Sequence, residues 1–568
     1  MKNTLAFWVL ILLAIACSQD TTSRETADKL YFNGTILTME GDKPTYVEAV
    51  ATKGKKILKT GQLTELKKWV GEKTESVDLE GNTMLPGFVE PHLHPTLATL
   101  LIQTEIIAFN DWNLPHGAFK GVRNQTEYLK KLNEVFTRHK NTAVPIITWG
   151  YHELYHGTLG RKTLDSLYGE QPLLIWQYSF HEVILNSDAL DFFKIDEAAA
   201  EKHPQVDIQA GRFYEKGLHK LVAPQLIPYL LQADKSIRGI QLTAQAIKKG
   251  GVTTVADMAM PLINLDLELN LVKKGLNNPL IPFRTFLIPM ASAFAQTPVQ
   301  LDTALVAIEN LLGQNTEKVQ FVRQVKLMAD GAFYAQLMQM SEPYTDGHHG
   351  EWLTEPEEFK KFADFFWKND FKIHVHVNGD LGLEMVLNTL EELQQKKPVE
   401  DHRFTLHHLG YFRKDQAERM AKLGVHASLQ PYYLYSLGSK YSENGLGPNR
   451  AARISPAGYL IENEVLTSFH SDFFMAPVEP LTLVWVAVNR KTLDDKVLGP
   501  ELRISVWEAL KAVTLNAAVH LNQEALIGSI RDGKYADFVI LDQNPLTIKP
   551  ESIKDVKIIA TVFEGQRF

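Results

Sequence analysis

Two pairs of histidines, each spaced two residues apart, are the first chemical signal in this sequence: His92 with His94, and His374 with His376. Residues two apart on a strand face the same side, so His92 and His94 can present two imidazoles to one metal ion if their segment is a strand. Imidazole nitrogens are borderline-soft donors that suit zinc and related divalent metals. The chain has 19 histidines in 568 residues, so a pair by itself is weak evidence and its context must decide.

Further polar residues follow later apolar runs. Lys326 lies in "QVKLMADG", the adjacent His407 and His408 lie in "TLHHLG", and Asp472 lies in "SFHSDFF". A lone strand-end histidine is usually a satisfied polar group, and a lone buried lysine is usually an ion-pair partner. Together, however, imidazoles, a lysine and a carboxylate at successive strand ends indicate one metal site of N and O donors.

The elements that must position these residues alternate between strand and helix. From about residue 240 onward, short β-rich runs are followed by amphipathic helical stretches such as "LGLEMVLNTLEELQQK" and "RKDQAERMAKLG". The β-rich runs are "GVTTVADM", "FRTFLIPM", "VRQVKLMADG", "FKIHVHVNGD", "HRFTLHHLG", "GVHASLQP" and "VLTSFHSD". Repeated β-α units indicate a parallel sheet or barrel, in which functional residues lie at the C-terminal strand ends.

Both ends of the chain have a different character. Residues 28–84 and 523–568 read as short strands separated by turn signals, which predicts a small β domain built from both termini. Residues from about 100 to 235 interrupt the β-α pattern after the first strand of the barrel, and we expect them to be an insertion.

The bulk composition is that of a folded soluble protein, with 45% hydrophobic and 22% charged residues. The formal net charge is −8, and the sequence offers no basic stripe or motif for nucleic acid, which argues against a nucleic-acid partner.

The first 17 residues are typical of an export signal. Lys2 precedes an apolar run at 5–16 that is too short to span a bilayer, and Cys17 is the only cysteine in the chain. The pattern resembles a bacterial lipoprotein signal, with an ordinary secretory signal as the alternative. We therefore expect lipidation at Cys17, a polar tether at 18–27, and attachment in the cell envelope. Ser18 favours the outer membrane and its periplasmic face.

The ordered set of motifs resembles the amidohydrolase superfamily, and in particular its family 3 branch, which includes N-substituted formamide deformylases. The resemblance covers nearly all of residues 28–568. The motifs that carry it are "LPGFVEPHLHP", "HGTLGRKTLDSLYGEQPLLIWQYSFHEVILNSDAL", "GVTTVADM", "VKLMADGAFYAQL", "SEPYTDG", "HVHVNGD", "HSDFFMAPVEPL" and "GSIRDGKYADFVILD". It implies an α/β fold: a TIM-type (β/α)8 metal-dependent hydrolase barrel at 85–522 and a β-sandwich from 28–84 and 523–568.

The resemblance also implies roles for the site residues. His92 and His94 would bind a first metal, His376 and His408 a second, and Asp472 would be the general acid/base and a further ligand. Lys326, carboxylated by carbon dioxide, would bridge the two ions. The cofactor would be one or two divalent metals, Zn2+ in particular.

His181 corresponds to a family position near the substrate, where a structural histidine on the insertion is the alternative interpretation. His470 has at most a supporting role, and we expect His348 and His349 to lie in a loop without metal.

Three positions depart from the family pattern. His407 stands where a glutamate is usual, so we assign His408 as the ligand. Ala332 replaces a common serine and Glu90 a common aspartate. These changes leave the substrate open.

The expected reaction is hydrolysis of a small-molecule amide by metal-activated water, with Asp472 moving the proton. No Gly-x-Ser-x-Gly elbow is present, which disfavours a serine hydrolase. Cyclic amide hydrolysis, deamination or ester cleavage at the same site remain alternatives. A catalytically inactive, ligand-binding surface lipoprotein is another.

Overall fold

The computed structural model describes residues 25–139 and 144–568. Within these ranges, no helix is long and apolar enough to cross a bilayer. The predicted signal at 1–17, with its lipidation site Cys17, lies outside the described residues and stays a prediction, as does most of the tether at 18–27.

Eight parallel strands lie at the centre of the molecule, and their order along the chain matches the β-rich runs. They are Phe88–Leu93, Val252–Met260, Arg284–Pro289, Gln324–Met328, Lys372–Val377, Thr405–His408, His426–Leu429 and Thr467–Phe469. The first three pair in one sheet, with Val319–Phe321 at its edge, and the other five pair in a second sheet. Most of their residues are buried, which explains the nearly continuous apolar runs.

Backbone contacts connect the edges of these two sheets at both sides. Met290, just after the third strand, forms a parallel bridge with Lys326 in the fourth strand. After the eighth strand, the Asp472 amide donates to the His92 carbonyl (3.2 Å), and the His94 amide donates to the Phe473 carbonyl (3.0 Å). The segment after the eighth strand therefore lies beside the first strand.

Helices alternate with the strands, as the sequence pattern predicts, and several of them are amphipathic. The main ones are Ala233–Lys249, Leu265–Leu276, Leu301–Leu312, Pro356–Lys368, Asp380–Lys396, Lys414–Leu423, Tyr432–Glu443, Ala457–Glu462 and Pro480–Asn489. The helix Pro356–Lys368 shows the principle: proline occupies its first turn, two glutamates follow near its N-terminus, and Phe359, Phe362 and Phe366 are buried on one face.

The N-terminal region contributes strands to two β-sheets, and the C-terminal region contributes strands to one of them. One sheet contains Lys29–Phe32, Ala49–Lys53, Lys56–Gly61 and Glu75–Asp78. The other contains Thr35–Leu37, Tyr46–Val47, Thr83–Pro86, Phe538–Leu541, Ile558–Phe563 and Gln566–Arg567. Side chains of both sheets share one apolar core, in which Tyr31 and Phe538 meet edge to face at 5.5 Å.

The residues between the first and second parallel strands form a six-stranded sheet of their own. Its strands are Glu105–Ile106, Ile146–Tyr151, Leu173–Gln177, Glu182–Leu185, Val206–Asp207 and Arg212–Tyr214. The turn after Leu173–Gln177 extends toward the central strands, because the Tyr178 hydroxyl donates to the Met475 carbonyl (2.9 Å). This sheet therefore carries side chains to the C-terminal ends of the central strands.

Candidate metal centre

Three predicted ligands converge where the first strand meets the segment after the eighth. His92 lies in the first strand and His94 directly follows it, with their Nε2 atoms 3.2 Å apart. Asp472 Oδ1 lies 3.5 Å from His92 Nε2 and 3.3 Å from His94 Nε2. These three donor atoms lie within 4.8 Å of one another, which is close enough for one ion to contact all three.

The predicted ligands of a second ion lie on the next side of the same site. The rings of His376 and His408 are 4.4 Å apart, and the ring of His408 is 4.7 Å from that of His92. Lys326 is buried, and its Nζ has no hydrogen-bond partner among the described residues. These three residues are outside the closely spaced donor groups, so their role as ligands stays a prediction.

Another donor group combines His92 with His407 and His470. His470 stacks on His92 with ring centroids 4.6 Å apart, and its Nε2 is 3.3 Å from His408 Nδ1. Its Nδ1 is 2.9 Å from the Ser428 hydroxyl. His470 thus packs within the site and supports two predicted ligands.

A left-handed backbone explains how two consecutive histidines can both reach the site. In a regular strand, His407 and His408 would point to opposite faces. His408 has a φ of +76°, a conformation that non-glycine residues rarely adopt, and this turns its ring toward His376. Asp472 also has a positive φ, +56°. Such backbone strain is concentrated where function requires a particular side-chain direction.

The two histidines of the sixth strand give a direct test of register. We expect His408→Ala to reduce activity more than His407→Ala, because the first change removes a predicted ligand and the second removes a supporting contact. Loss of a supporting partner costs about 10–100-fold in metal affinity or activity. Steady-state kinetics of both variants would measure the difference, and the reverse order would show that His407 is the ligand.

The charges of the site are unevenly distributed. Burial raises the pKa of Asp472, but its close contact with His94 and the charges of His94, His470 and Lys326 together lower it by more, so the carboxyl group is ionised at neutral pH. Burial lowers the pKa of His94, yet Asp257 on one side and Asp472 on the other raise it to about 9. In the metal-free protein, a proton on His94 therefore sits where a cation would bind.

Burial keeps the other basic groups neutral. Desolvation lowers the pKa of Lys326 to about 7, so this amine is largely unprotonated just above neutral pH. Desolvation, with the nearby Lys326 charge, also lowers the pKa of His376 to about 3 and holds those of His92 and His408 well below the usual range. Neutral imidazoles are the form that binds metals.

The inserted sheet contributes His181 to the rim of the site. Its Nδ1 lies 3.1 and 3.2 Å from the two carboxylate oxygens of Glu215. Burial lowers its pKa, but the charge and hydrogen bond of Glu215, with the charges of Asp472 and Glu351, together raise it by more. The His181 side chain is 32% exposed, whereas that of Asp472 is 10% exposed. His181 is therefore more open to solvent than Asp472, and its predicted place near the substrate stays a prediction.

Some supporting contacts were not predicted from the sequence. Glu90 does not face the open side: its Oε2 accepts hydrogen bonds from the Ser471 amide (3.1 Å) and hydroxyl (2.8 Å). It therefore ties the first strand to the residue before Asp472. Asp257, in the "GVTTVADM" motif, places Oδ1 3.5 Å from His94 Nδ1 and thereby supports that imidazole.

His348 and His349 lie in a loop, as expected. His348 is held by Asp346 (2.6 Å) and by the Gln336 carbonyl (2.9 Å), and neither His348 nor His349 joins a donor cluster within residues 25–139 and 144–568.

The donor set fits a divalent metal. Asp472 Oδ1 and Lys326 Nζ are buried without a well-formed hydrogen bond among the described residues, which is costly unless a bound group satisfies them. Two imidazoles and one carboxylate are a usual ligand set for such an ion, which would displace the proton of His94.

Comparisons with known proteins identify a family for this chain. The model of the amidohydrolase family matches residues 75–568. N-substituted formamide deformylase of Arthrobacter pascens is 21% identical, with 95% of this chain and 97% of the relative covered. Protein LONG AFTER FAR-RED 3 of Arabidopsis thaliana is 24% identical, with 95% and 91% covered.

A solved structure shares the fold. The uncharacterized metal-dependent hydrolase of Pyrococcus horikoshii OT3 superposes with a TM-score of 0.68 at 21% identity, covering 92% of this chain and 99% of that one. The family model covers most of the sequence and includes every predicted metal ligand. The chain is therefore a member of the amidohydrolase family.

Proposed function

We propose that this protein hydrolyses a carbon–nitrogen bond of a small non-peptide amide, such as an N-formyl or N-acyl compound. The observation that carries the proposal is the convergence of His92 Nε2, His94 Nε2 and Asp472 Oδ1 within 4.8 Å in a member of the amidohydrolase family. Its similarity to a formamide deformylase over nearly the full length of both chains supports the same bond type.

The proposal extends to the architecture and the cofactor. The eight parallel strands would form a closed (β/α)8 barrel, which is supported by the backbone contacts at both sheet edges. Zinc is the proposed metal, because the donors are imidazoles with a carboxylate. A second ion would be held by His376, His408 and a carboxylated Lys326.

Each residue would have a defined task in the reaction. A bound divalent metal supplies Lewis acidity, which activates water at neutral pH and polarises a carbonyl. Asp472, ionised and close to His94, accepts the proton of the attacking water and passes it to the leaving nitrogen. His181, whose pKa is raised by Glu215, donates a hydrogen bond to the carbonyl oxygen as negative charge develops there.

Carboxylation of Lys326 can be tested by measuring how the amount of carbamate depends on pH. Carboxylation joins the unprotonated amine to carbon dioxide through a new N–C bond and releases one proton. Because burial lowers the Lys326 pKa to about 7, we expect the carbamate to increase as the pH rises through 7. A carbamate signal in 13C NMR after loading with zinc and 13C-bicarbonate, absent in Lys326→Gln, would measure it. No such signal at pH 8 would contradict carboxylation.

A substrate panel tests the proposed bond type. Zinc-loaded protein would be assayed with N-formyl amines, N-acetyl amines, cyclic amides, aminated heterocycles and simple esters. Hydrolysis of the N-formyl or N-acyl compounds, with kcat/KM at least tenfold above the other classes, is expected. Preference for cyclic amides, heterocycles or esters would assign a different reaction to the same site. Metal-loaded protein without any hydrolysis would favour a binding function.

A further inference from the structure

A chain of buried polar side chains extends from the metal centre into the interior of the central strands. His92 Nδ1 is 2.9 Å from His407 Nδ1, and His407 Nε2 is 2.8 Å from His374 Nδ1. His374 Nε2 is 3.1 Å from Gln324 Oε1, and Gln324 Nε2 donates to the His520 carbonyl at 3.3 Å. The whole chain is buried, so solvent cannot satisfy any of its members.

The strand register explains why these residues align. Gln324 and His374 lie two residues before Lys326 and His376, so each shares a strand face with a predicted ligand but lies one layer deeper. Parallel pairing places His374 beside Lys326 and His407 beside His376. The buried polar side chains therefore lie directly beside and beneath the predicted ligands.

The donor and the acceptor of each hydrogen bond in this row of buried side chains follow from its inner end, the His520 carbonyl. The His520 carbonyl only accepts, so the amide nitrogen of Gln324 faces it and Gln324 Oε1 faces His374. His374 Nε2 must then carry a proton to donate. In a neutral imidazole the other nitrogen accepts, so His374 Nδ1 accepts from His407 Nε2.

The same reasoning continues to the metal centre. Since His407 Nε2 carries the proton, His407 Nδ1 accepts, and the proton between the last two rings belongs to His92 Nδ1. All three rings are buried, and burial favours the neutral imidazoles that this assignment needs.

We propose that Gln324, His374 and His407 are positioning residues that fix the tautomer of His92, with the proton on Nδ1 and the lone pair of Nε2 facing His94 and Asp472. His92 Nε2 is the atom that lies 3.2 Å from His94 Nε2 and 3.5 Å from Asp472 Oδ1. This inference rests on the proposed function, in which that lone pair binds the metal. It also assigns a role to His407. Both ring nitrogens of His407 form hydrogen bonds to other histidines, so this residue supports a ligand and does not bind the ion itself.

The tautomer can be observed without any metal or substrate. Histidine labelled with 15N in the ring would be incorporated, and the His92 signals of the metal-free protein would be identified by their absence in His92→Ala. We expect the chemical shifts of a neutral ring protonated at Nδ1. A ring protonated at Nε2 would overturn the proposal.

Two variants at His407 separate proton direction from packing. His407→Gln offers an oxygen to accept from His92 and an N–H to donate to His374, whereas His407→Leu offers neither. We expect zinc affinity, measured by competition with a chromogenic chelator, to decrease about 10–100-fold in His407→Leu. In His407→Gln it should remain within about threefold of wild type, an estimate based on the retained donor and acceptor. Equal affinities in the two variants would overturn the proposal.

A matched control addresses destabilisation in general. His402 is also buried, and it bonds to backbone groups only: its Nε2 to the Leu423 carbonyl (2.8 Å) and its Nδ1 to the Phe404 amide (2.9 Å). His402→Leu should lower the melting temperature while keeping wild-type zinc affinity. If His402→Leu lost as much zinc affinity as His407→Leu, the effect would be one of stability, and the proposed positioning role of His407 would be contradicted.

Failure of the proposed function would be distinguishable from failure of this inference. Wild-type protein that binds no zinc would contradict the metal centre, while the NMR measurement would still decide the tautomer. If the wild-type protein binds zinc but its metal-free form carries the His92 proton on Nε2, only the proposed positioning of His92 would be contradicted.

Discussion

Asp472→Asn is expected to retain the metal and lose most of the turnover. An amide cannot accept the proton of attacking water, and removing a positioned acid/base costs about 10²–10⁴-fold in rate. The backbone should tolerate the change, because Asp472 has a φ of +56° and asparagine is among the residues that adopt this conformation most readily. Asparagine also keeps an oxygen able to face His92 and His94. The measurements are kcat on the best substrate of the panel and zinc per chain.

Asp472→Ala is the informative comparison. It removes the proton acceptor and the donor oxygen together, and alanine is less suited to the left-handed backbone. We expect it to lose metal as well as activity, whereas the asparagine variant loses activity alone. Wild-type turnover in Asp472→Asn would remove this carboxylate from the mechanism. Equal zinc loss in both variants would make it a ligand whose charge is indispensable.

The strand ends could be predicted because their signal is local. An apolar run followed by a histidine, lysine or aspartate recurs in "QVKLMADG", "FKIHVHVNGD" and "SFHSDFF", and the structure has a strand in each of them. Parallel strands place such residues at one edge, so the convergence of His92, His94 and Asp472 follows from the alternation of strands and helices. The left-handed backbone at His408 has no comparable signal in the sequence. The direction of the His408 side chain could be predicted only by assuming a straight strand.

Supporting contacts were harder to predict because they depend on pairs distant in sequence. Glu90 and Ser471 are 381 residues apart, and nothing in either segment indicates the other. In the sequence, the replacement of a common aspartate by Glu90 was interpreted as a difference that affects the substrate. In the structure, Glu90 holds the backbone next to Asp472. The row of buried polar side chains beneath His92 was not predicted for another reason. His374 in "HVHVNGD" was noted only as part of a spaced pair, and Gln324 has no chemical signature of its own.

Removal of the metal is expected to abolish activity, with restoration by zinc only when the first-strand histidines are intact. Lewis-acid stabilisation of the transition state contributes several kcal/mol, so we expect the stripped protein to be slower by about 10³-fold or more. His92→Ala removes the donor that both closely spaced groups share, and it should neither retain zinc nor recover activity on its addition. Metal per chain before and after chelation, with the rate at each stage, is the measurement.

His348→Ala is the control for a nonspecific effect of losing an imidazole. His348 lies in a loop, bonded to Asp346 and to the Gln336 carbonyl, and it belongs to neither donor cluster of the described residues. This variant should bind zinc and recover activity like wild type. If His348→Ala lost zinc while His92→Ala kept it, the metal centre would lie in the loop. If chelation left the rate unchanged in protein shown to be free of metal, the reaction would need only this chain's own side chains. Asp472 and His181 would then have to carry the entire catalytic effect.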